Sequence, residues 1–322
     1  MRFLHVACGT STTSTIEAAG IPGARSIWAD PLYEGPVPDV GDDELIKVRS
    51  AYLSDGQEVD RVNDLRLWRK AIADDSYDEL VLWYEHDLFD QLNLLQLLTW
   101  MRPHVAAPKR ATLICVGAFP GHPDFKGLGE LSPHELASLF DTRAAITAAQ
   151  YDLAERAWSA FRAPTPEPLE RVRRGDTHAL PFLAAALERF LQEFPWTGDG
   201  LSRTERRLLH LAERGPIALR TAFPRMHDDE RLYYVTDLSL MGLADELSRT
   251  SPPLVAFDRA ADGASRWQLN GTVALTDAGR DVLTGRRDRV GVGIDRWLGG
   301  VHLRNGSAMW RWNEERGEIG RA

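Results

Sequence analysis

The chain is short of cysteine, of long apolar runs and of ready-made catalytic signatures, and each shortage excludes something. Two cysteines, Cys8 and Cys115, among 322 residues cannot build a disulfide framework or paired-cysteine zinc sites. Both lie inside apolar runs, which reads as buried, reduced thiols in a cytoplasmic protein. No stretch reaches the roughly 18 consecutive apolar residues of a membrane helix. The opening Met1-Arg2-Phe3-Leu4-His5-Val6-Ala7-Cys8 is too short an apolar run for a secretory leader, and His5 interrupts it. There is no Gly-x-Ser-x-Gly elbow, no His-Glu-x-x-His helix and no P-loop. What is present is 43% hydrophobic and 26% charged residues, a soluble globular composition with material for about two domains.

Charge is uneven along the chain. Residues 1–200 hold 19 Lys/Arg against 30 Asp/Glu, whereas residues 201–322 hold 19 against 17. An acidic front half repels phosphate backbones, so nucleic acid is a poor partner for it. The near-neutral back half leaves DNA open as a partner with weak support.

The first 160 residues alternate between strand and helix patterns. Apolar runs at 3–8, 26–29, 80–84 and 112–116 predict strands, and the last two are continuous rather than alternating. Continuous runs belong to strands covered on both faces, as in a parallel sheet flanked by helices. Helical patterns at 42–53, 59–73 and 88–101 lie between them, which predicts a Rossmann-like α/β domain over 1–163. A Pro-rich hinge, Ala163-Pro164-Thr165-Pro166-Glu167-Pro168, opens a helical linker over 164–200. Helix starts are marked by three capping boxes, at Ser132/Glu135, Thr147/Gln150 and Ser202/Glu205. Helices at 204–214, 218–226 and within 230–248 precede strands at 254–257 and 267–269 and a helix opening at Thr276-Asp277. That order predicts a winged-helix-like α+β domain over 201–290, with a tail over 291–322 that carries Trp297, Trp310 and Trp312.

Four places could carry chemistry. Gly9, Thr10, Ser11, Thr12 and Thr13 lie in a hydroxyl-rich stretch joining the first strand to a helix, where open α/β sheets bind ligands. Free amides at a helix start suit a phosphate or carboxylate, although ordinary capping also uses such residues. At the end of the most apolar strand stand Glu85, His86 and Asp87, followed by Asp90 and Gln91. Asp87, Asp90 and Gln91 share one face of a first helical turn. Carboxylates with an imidazole could act as general acid and base or hold a divalent cation. Capping and the helix dipole explain Asp87 and Asp90 equally well, but not Glu85 and His86.

Asp30 follows the second strand, where an acid commonly meets a ribose hydroxyl, and Tyr33-Glu34-Gly35-Pro36 could fold over the same site. Glycines in Val116-Gly117-Ala118-Phe119-Pro120-Gly121-His122 and Lys126-Gly127-Leu128-Gly129-Glu130 permit close backbone approach or an active-site flap. In the back half Arg203, Arg206 and Arg207 form a basic stripe on one helix. The presumed recognition helix carries Asp237, Asp245 and Glu246, which argues for a packing module over a groove reader.

Arg2 through Ser11, Ala29-Asp30-Pro31-Leu32-Tyr33-Glu34-Gly35-Pro36, Leu82 through Leu92, and Phe119-Pro120-Gly121 together resemble one bacterial family, the domain of unknown function 1835. Leu201-Ser202-Arg203-Thr204-Glu205 resembles the helical module found downstream of it. The likeness spans residues 1 to about 160 and extends toward Leu303. The resemblance implies a strand-initial glycine followed by a small acidic or hydroxyl pair; here that pair is Thr10-Ser11, without an acid, which weakens any metal site at this loop. The resemblance implies the layout and no activity. The expected function is therefore a Rossmann-like domain that binds a nucleotide or phosphorylated metabolite, with hydrolase or transferase chemistry if it is an enzyme. Gly9 to Thr13 would hold the anion, Asp30 the sugar, and Glu85, His86 and Asp87 the reacting centre, with a divalent metal as an open option. The alternative is a ligand-responsive regulator whose winged helix contacts DNA or protein.

Overall fold

The structure, a computed structural model, describes residues 1–54, 61–105, 109–259 and 269–321. The chain divides into two units, Met1–Leu187 with Gly299–Val301 and Glu188–Leu298 with His302–Ala322. The separate linker expected over 164–200 is thus shared between the two, with the division at 187/188. Leu169, Leu180 and Leu183, in the part of that span that belongs to the first unit, are buried. Part of the expected tail also belongs to that unit, since the Gly300 amide donates to the Phe161 carbonyl at 3.0 Å.

In chain order the first unit runs β1 (Phe3–Ala7), α1 (Thr10–Ala18), β2 (Ala24–Ile27), β3 (Gly35–Pro36), α2 (Asp42–Ser54), α3 (Arg61–Ala73), β4 (Glu79–Glu85), α4 (Leu88–His104), β5 (Arg110–Val116), α5 (Pro133–Leu139), β6 (Ala144–Ala145), α6 (Ala148–Phe161) and α7 (Glu167–Arg174). Five strands form one sheet in the order β2-β1-β4-β5-β6, parallel throughout except at the β5–β6 edge. The continuous run in β4 is buried over its first six residues, as a strand covered on both faces must be. On one face a cluster of Ile16, Ile21, Trp83, Phe125, Leu128 and Leu136 packs against Ala7, Val81 and Ile114. On the other lies α4, which is apolar nearly all round and buries Leu88, Leu92, Leu94, Leu95, Leu97 and Leu98 completely.

All three capping boxes form. Ser132, Thr147 and Ser202 each accept from the amide three residues on, and Glu135, Gln150 and Glu205 reach back to the cap amide. The parallel register sets the ends of β1, β4 and β5 along one edge, with Ala7 beside Trp83 and Glu85 beside Val116. From β1 the chain moves outward to β2, and β4 then pairs on the opposite side of β1. A crevice opens between neighbouring strands whose connections leave in opposite directions, so the ends of β1 and β4 are the favoured ligand position.

After α8 (Leu183–Leu191) the second unit continues with α9 (Arg203–Ala212), β7 (Ile217–Ala218), α10 (Leu219–Met226), α11 (Asp237–Ser248), β8 (Val255–Asp258), β9 (Thr272–Leu275) and α12 (Asp277–Leu283). Strands β7, β9 and β8 pair antiparallel in that order. Of the strand expected at 267–269, Trp267 and Gln268 lie outside the described residues, and Leu269 is not in a strand. A strand is formed at Thr272–Leu275, where Val273 pairs with Ile217 and with Phe257 and is fully buried. Near the end of the chain, β10 (Asp295–Gly299) and β11 (Val301–Arg304) precede a hairpin of β12 (Trp310–Asn313) and β13 (Glu318–Arg321). Trp310 and Trp312 are packed into the body of this unit.

An ionic network crosses the second unit's interior. Arg289 and Arg296 both donate to Glu205 Oε1, at 2.9 and 2.8 Å, and both also bond Glu246 on α11. Burial would raise the Glu205 carboxyl, but the Arg296 and Arg289 guanidiniums outweigh it and hold the group at about 2. The arginine stripe of α9 is likewise engaged within the unit. Arg203 donates to Gln192, Arg206 pairs with Asp199 over the Trp196 ring, and Arg207 donates to the carbonyls of Arg225 and Asp228. Among the described residues no helix is long and apolar enough to cross a membrane.

Candidate functional site

A cavity of about 280 Å³ opens at the ends of β1 and β4. Cys8, Gly9, Ser11 and Thr12 form one wall, Trp83, Glu85 and Asp90 another, and Lys126, Gly127, Gly129 and Glu130 a third. The first wall is the start of α1, whose N-cap is Gly9. No side chain caps that turn and no carboxylate stands in it, so its positive end is left for something else to complement. Thr10 and Thr13 were expected here with the others, yet they do not line the cavity. The Thr13 hydroxyl donates to the Gly9 and Thr10 carbonyls, back along its own helix.

The second wall is acidic. Glu85, Asp87 and Asp90 each bring a carboxylate oxygen within 4.8 Å of the others. Two local hydrogen bonds and one long-range one hold these carboxylates. Asp87 Oδ1 accepts from the Asp90 amide at 2.8 Å and so caps α4, as its position before the helix predicts. Asp90 Oδ1 accepts from the Glu85 amide at 2.9 Å. Glu85 Oε1 accepts from the Leu128 amide at 2.6 Å, tying the strand end to the loop across the cavity. Gln91 supports the same turn by donating to the Glu85 carbonyl at 2.6 Å.

Burial and mutual repulsion both disfavour ionisation of this cluster. Burial first, and then the Asp87 charge, raise Glu85 to about 8 against the Leu128 hydrogen bond. Burial raises Asp87 to about 6 against the amides of Asp90 and Phe89. Asp90 is pushed well up by burial and by the charges of Glu85 and Asp87. A consequence for stability follows. Between about pH 4.5 and about pH 8 the folded unit holds protons that the unfolded chain has released, so its stability falls as pH rises through that window. In cation-free buffer the first unit should melt at a higher temperature near pH 6 than near pH 8, and Glu85→Gln should flatten the difference. A melting temperature that rises over the same interval would contradict this placement of the carboxyls.

Other expected site residues are placed elsewhere. His86 is buried between the rings of Phe125 and Phe182 and is not part of the cavity lining. Asp30 is also absent from the lining. It is 2% exposed and bonded to Arg49, with Nη2 to Oδ1 at 2.6 Å. Tyr33 is buried edge-on against Phe89, and the Glu34 carbonyl accepts from Arg49, so this segment does not cover the cavity. Conversely, the glycine loop supplies a full wall. A Cβ on Gly127 would lie 2.0 Å from Glu85 Oε2, and one on Gly129 would lie 2.9 Å from Ser11 Oγ. Lys126 and Glu130 at the rim, and Cys8, were not singled out in the sequence as site residues; the glycines flanking Leu128 were the signal available for the loop.

The first unit is therefore an α/β domain with a mostly parallel sheet, and a carboxylate-lined cavity lies at the carboxyl ends of its strands. No protein-family model matches the chain, and no curated protein matches it.

Proposed function

We propose that the first unit is a Rossmann-like domain that binds a nucleotide or phosphorylated metabolite together with a divalent cation, and that it hydrolyses this ligand or transfers a group from it. The observation that carries the reading is the opposition of charge within one cavity. An uncapped helix start with Gly9, Ser11 and Thr12 lies on one wall and Glu85 and Asp90 on another, with Asp87, which does not itself line the cavity, offering a carboxylate oxygen within 4.8 Å of theirs. A phosphate bridged by a cation complements both walls at once. Gly9, Ser11 and Thr12 would receive the anion, with Lys126 at the rim. The three carboxylates would hold the cation, which supplies an activated water and neutralises charge on the phosphate. Asp90 and Asp87 are kept in place by α4, and Glu85 by the Leu128 amide, so the acids are preorganised before a ligand arrives.

The second unit has the order helix, short strand, two helices, two strands, which supports a winged-helix-like reading. Its α9 arginines and the Glu246 of α11 are held in internal pairs. That favours a module for packing or protein contact over one that reads a DNA groove.

Thermal unfolding against nucleotides and sugar phosphates, each with and without Mg²⁺, Mn²⁺ or Zn²⁺, tests the proposal. A ligand at 100 times its Kd adds about 2.7 kcal/mol, which raises the melting temperature by roughly 5–10 °C. The shift should require the cation and disappear in Asp90→Asn. No shift with any of these compounds would sink the reading.

A further inference from the structure

The proposed function leaves two ligand classes open, nucleotides and smaller phosphorylated metabolites, and the cavity walls separate them. A nucleotide needs room, an acid for the ribose hydroxyls and a flat face for the base, besides a seat for its phosphate. Room is the first shortage. Sites for drug-sized ligands run from about 300 to 1,000 Å³, and this cavity, at about 280 Å³, lies below that range. Gly127 and Gly129 bring the third wall so close that a Cβ on either would meet Glu85 or Ser11. The ribose acid is the second shortage. Asp30 stands where such an acid is expected, yet it is buried, does not line the cavity and is engaged by Arg49 Nε and Nη2.

The base is the third. Trp83 is the one aromatic residue of the lining among the described residues. It is 0% exposed and lies nearly parallel to the Phe140 ring, with 9° between planes and 6.3 Å between centroids. Its indole nitrogen donates to His5 Nδ1 at 3.1 Å. His5 is itself fully buried, and its Nε2 donates to the Pro22 carbonyl at 3.1 Å, so a neutral imidazole fixes the indole from behind. A ring held in this way, with no accessible surface, gives a base nothing to stack on. The rim offers Lys126 and Glu130, both exposed, which suit a short polar group.

We propose that the ligand is a compact phosphate compound, in which the phosphate carries a second phosphate or a polar group of a few carbons. A nucleotide then binds only through its phosphates, with sugar and base outside the cavity. This rests on the phosphate-and-cation reading of the previous section and narrows it. Calorimetric titration of the full chain with inorganic pyrophosphate, glycerol 3-phosphate, ADP and CDP, in Mg²⁺ and in Mn²⁺, tests it. Pyrophosphate or glycerol 3-phosphate should bind within about tenfold of the better nucleotide, or more tightly, and ADP and CDP should lie within about tenfold of each other. Ser11→Ala, which removes an exposed hydroxyl, should weaken the compact ligand by on the order of tenfold. A nucleotide that binds more than about tenfold tighter than both compact compounds, or a preference of that size between ADP and CDP, overturns the proposal and leaves the earlier reading standing. An unchanged Kd in Ser11→Ala takes the phosphate out of this cavity and overturns the proposal as well. Binding of none of the four compounds overturns both.

Discussion

Asp30→Ala is expected to destabilise the first unit by about 3–5 kcal/mol, the usual cost of stripping one partner from a buried ion pair. For a unit of this size that lowers the melting temperature by on the order of 10 °C. The Arg49 guanidinium is 1% exposed and bonds both Asp30 oxygens, through Nε at 2.9 Å and 3.1 Å and through Nη2 at 2.6 Å. It also donates to the carbonyls of Pro31, Glu34 and Pro36, which hold the chain that turns back after β2. Without Asp30 a full charge stays buried among neutral acceptors. Arg49→Ala should cost a comparable amount, and the double variant should cost less than the sum, because the second change removes the stranded charge. The outcome separates two roles for Asp30. A sugar-binding acid would leave the melting temperature within a degree or two of wild type and weaken the ligand; a structural acid does the reverse. An unchanged melting temperature would therefore return Asp30 to the list of ligand contacts.

The Asp30 case also shows where the sequence could be read and where it could not. The three capping boxes were legible because both partners lie within three residues and the bonds they make are dictated by the geometry of a helix start. The continuous runs at 80–84 and 112–116 were legible as strands covered on both faces, since burial on both sides leaves no polar alternation. Asp87 as the cap of α4, and the closeness of Asp87 and Asp90, followed from helical spacing. The partner of Asp30 did not, because Arg49 lies 19 positions away and on a different element. An acid before Pro31 carries no mark that distinguishes a ribose contact from a buried pair. The α9 arginines looked like a basic face for the same reason: their partners, Asp199, Gln192 and the Arg225 carbonyl, are set by tertiary packing. The strand at Thr272–Leu275, where Val273 pairs with Ile217 and is fully buried, was not read from the sequence, and most of the strand expected at 267–269 lies outside the described residues. The site itself was half visible. Its acidic wall and helix start are each contiguous in sequence, whereas the third wall comes from a glycine loop about 40 positions beyond Glu85.

Gly127→Ala should abolish ligand and cation binding while leaving the fold in place. The new methyl carbon would lie 2.0 Å from Glu85 Oε2 and 2.7 Å from its Cδ, far inside van der Waals contact. Glu85 has a flexible side chain, so the clash is relieved by moving the carboxylate rather than the strand. That movement breaks the 2.6 Å bond from the Leu128 amide and takes one of three oxygens out of the cluster. The backbone at Gly127 is extended, with φ 165°, so alanine adds no conformational strain of its own. The expected signature is a folded protein whose melting temperature falls by roughly 2–12 °C, since the loss is one hydrogen bond of about 1–3 kcal/mol. The cation-dependent shift of roughly 5–10 °C with the bound phosphate ligand should vanish. Glu85→Gln provides the comparison, because its amide can still accept from Leu128 but gives up the negative charge. If both variants lose the shift, the charge at Glu85 and its placement are each required. If Gly127→Ala keeps the full shift, Glu85 is not a ligand of the cation, and the functional centre moves to Asp87 and Asp90.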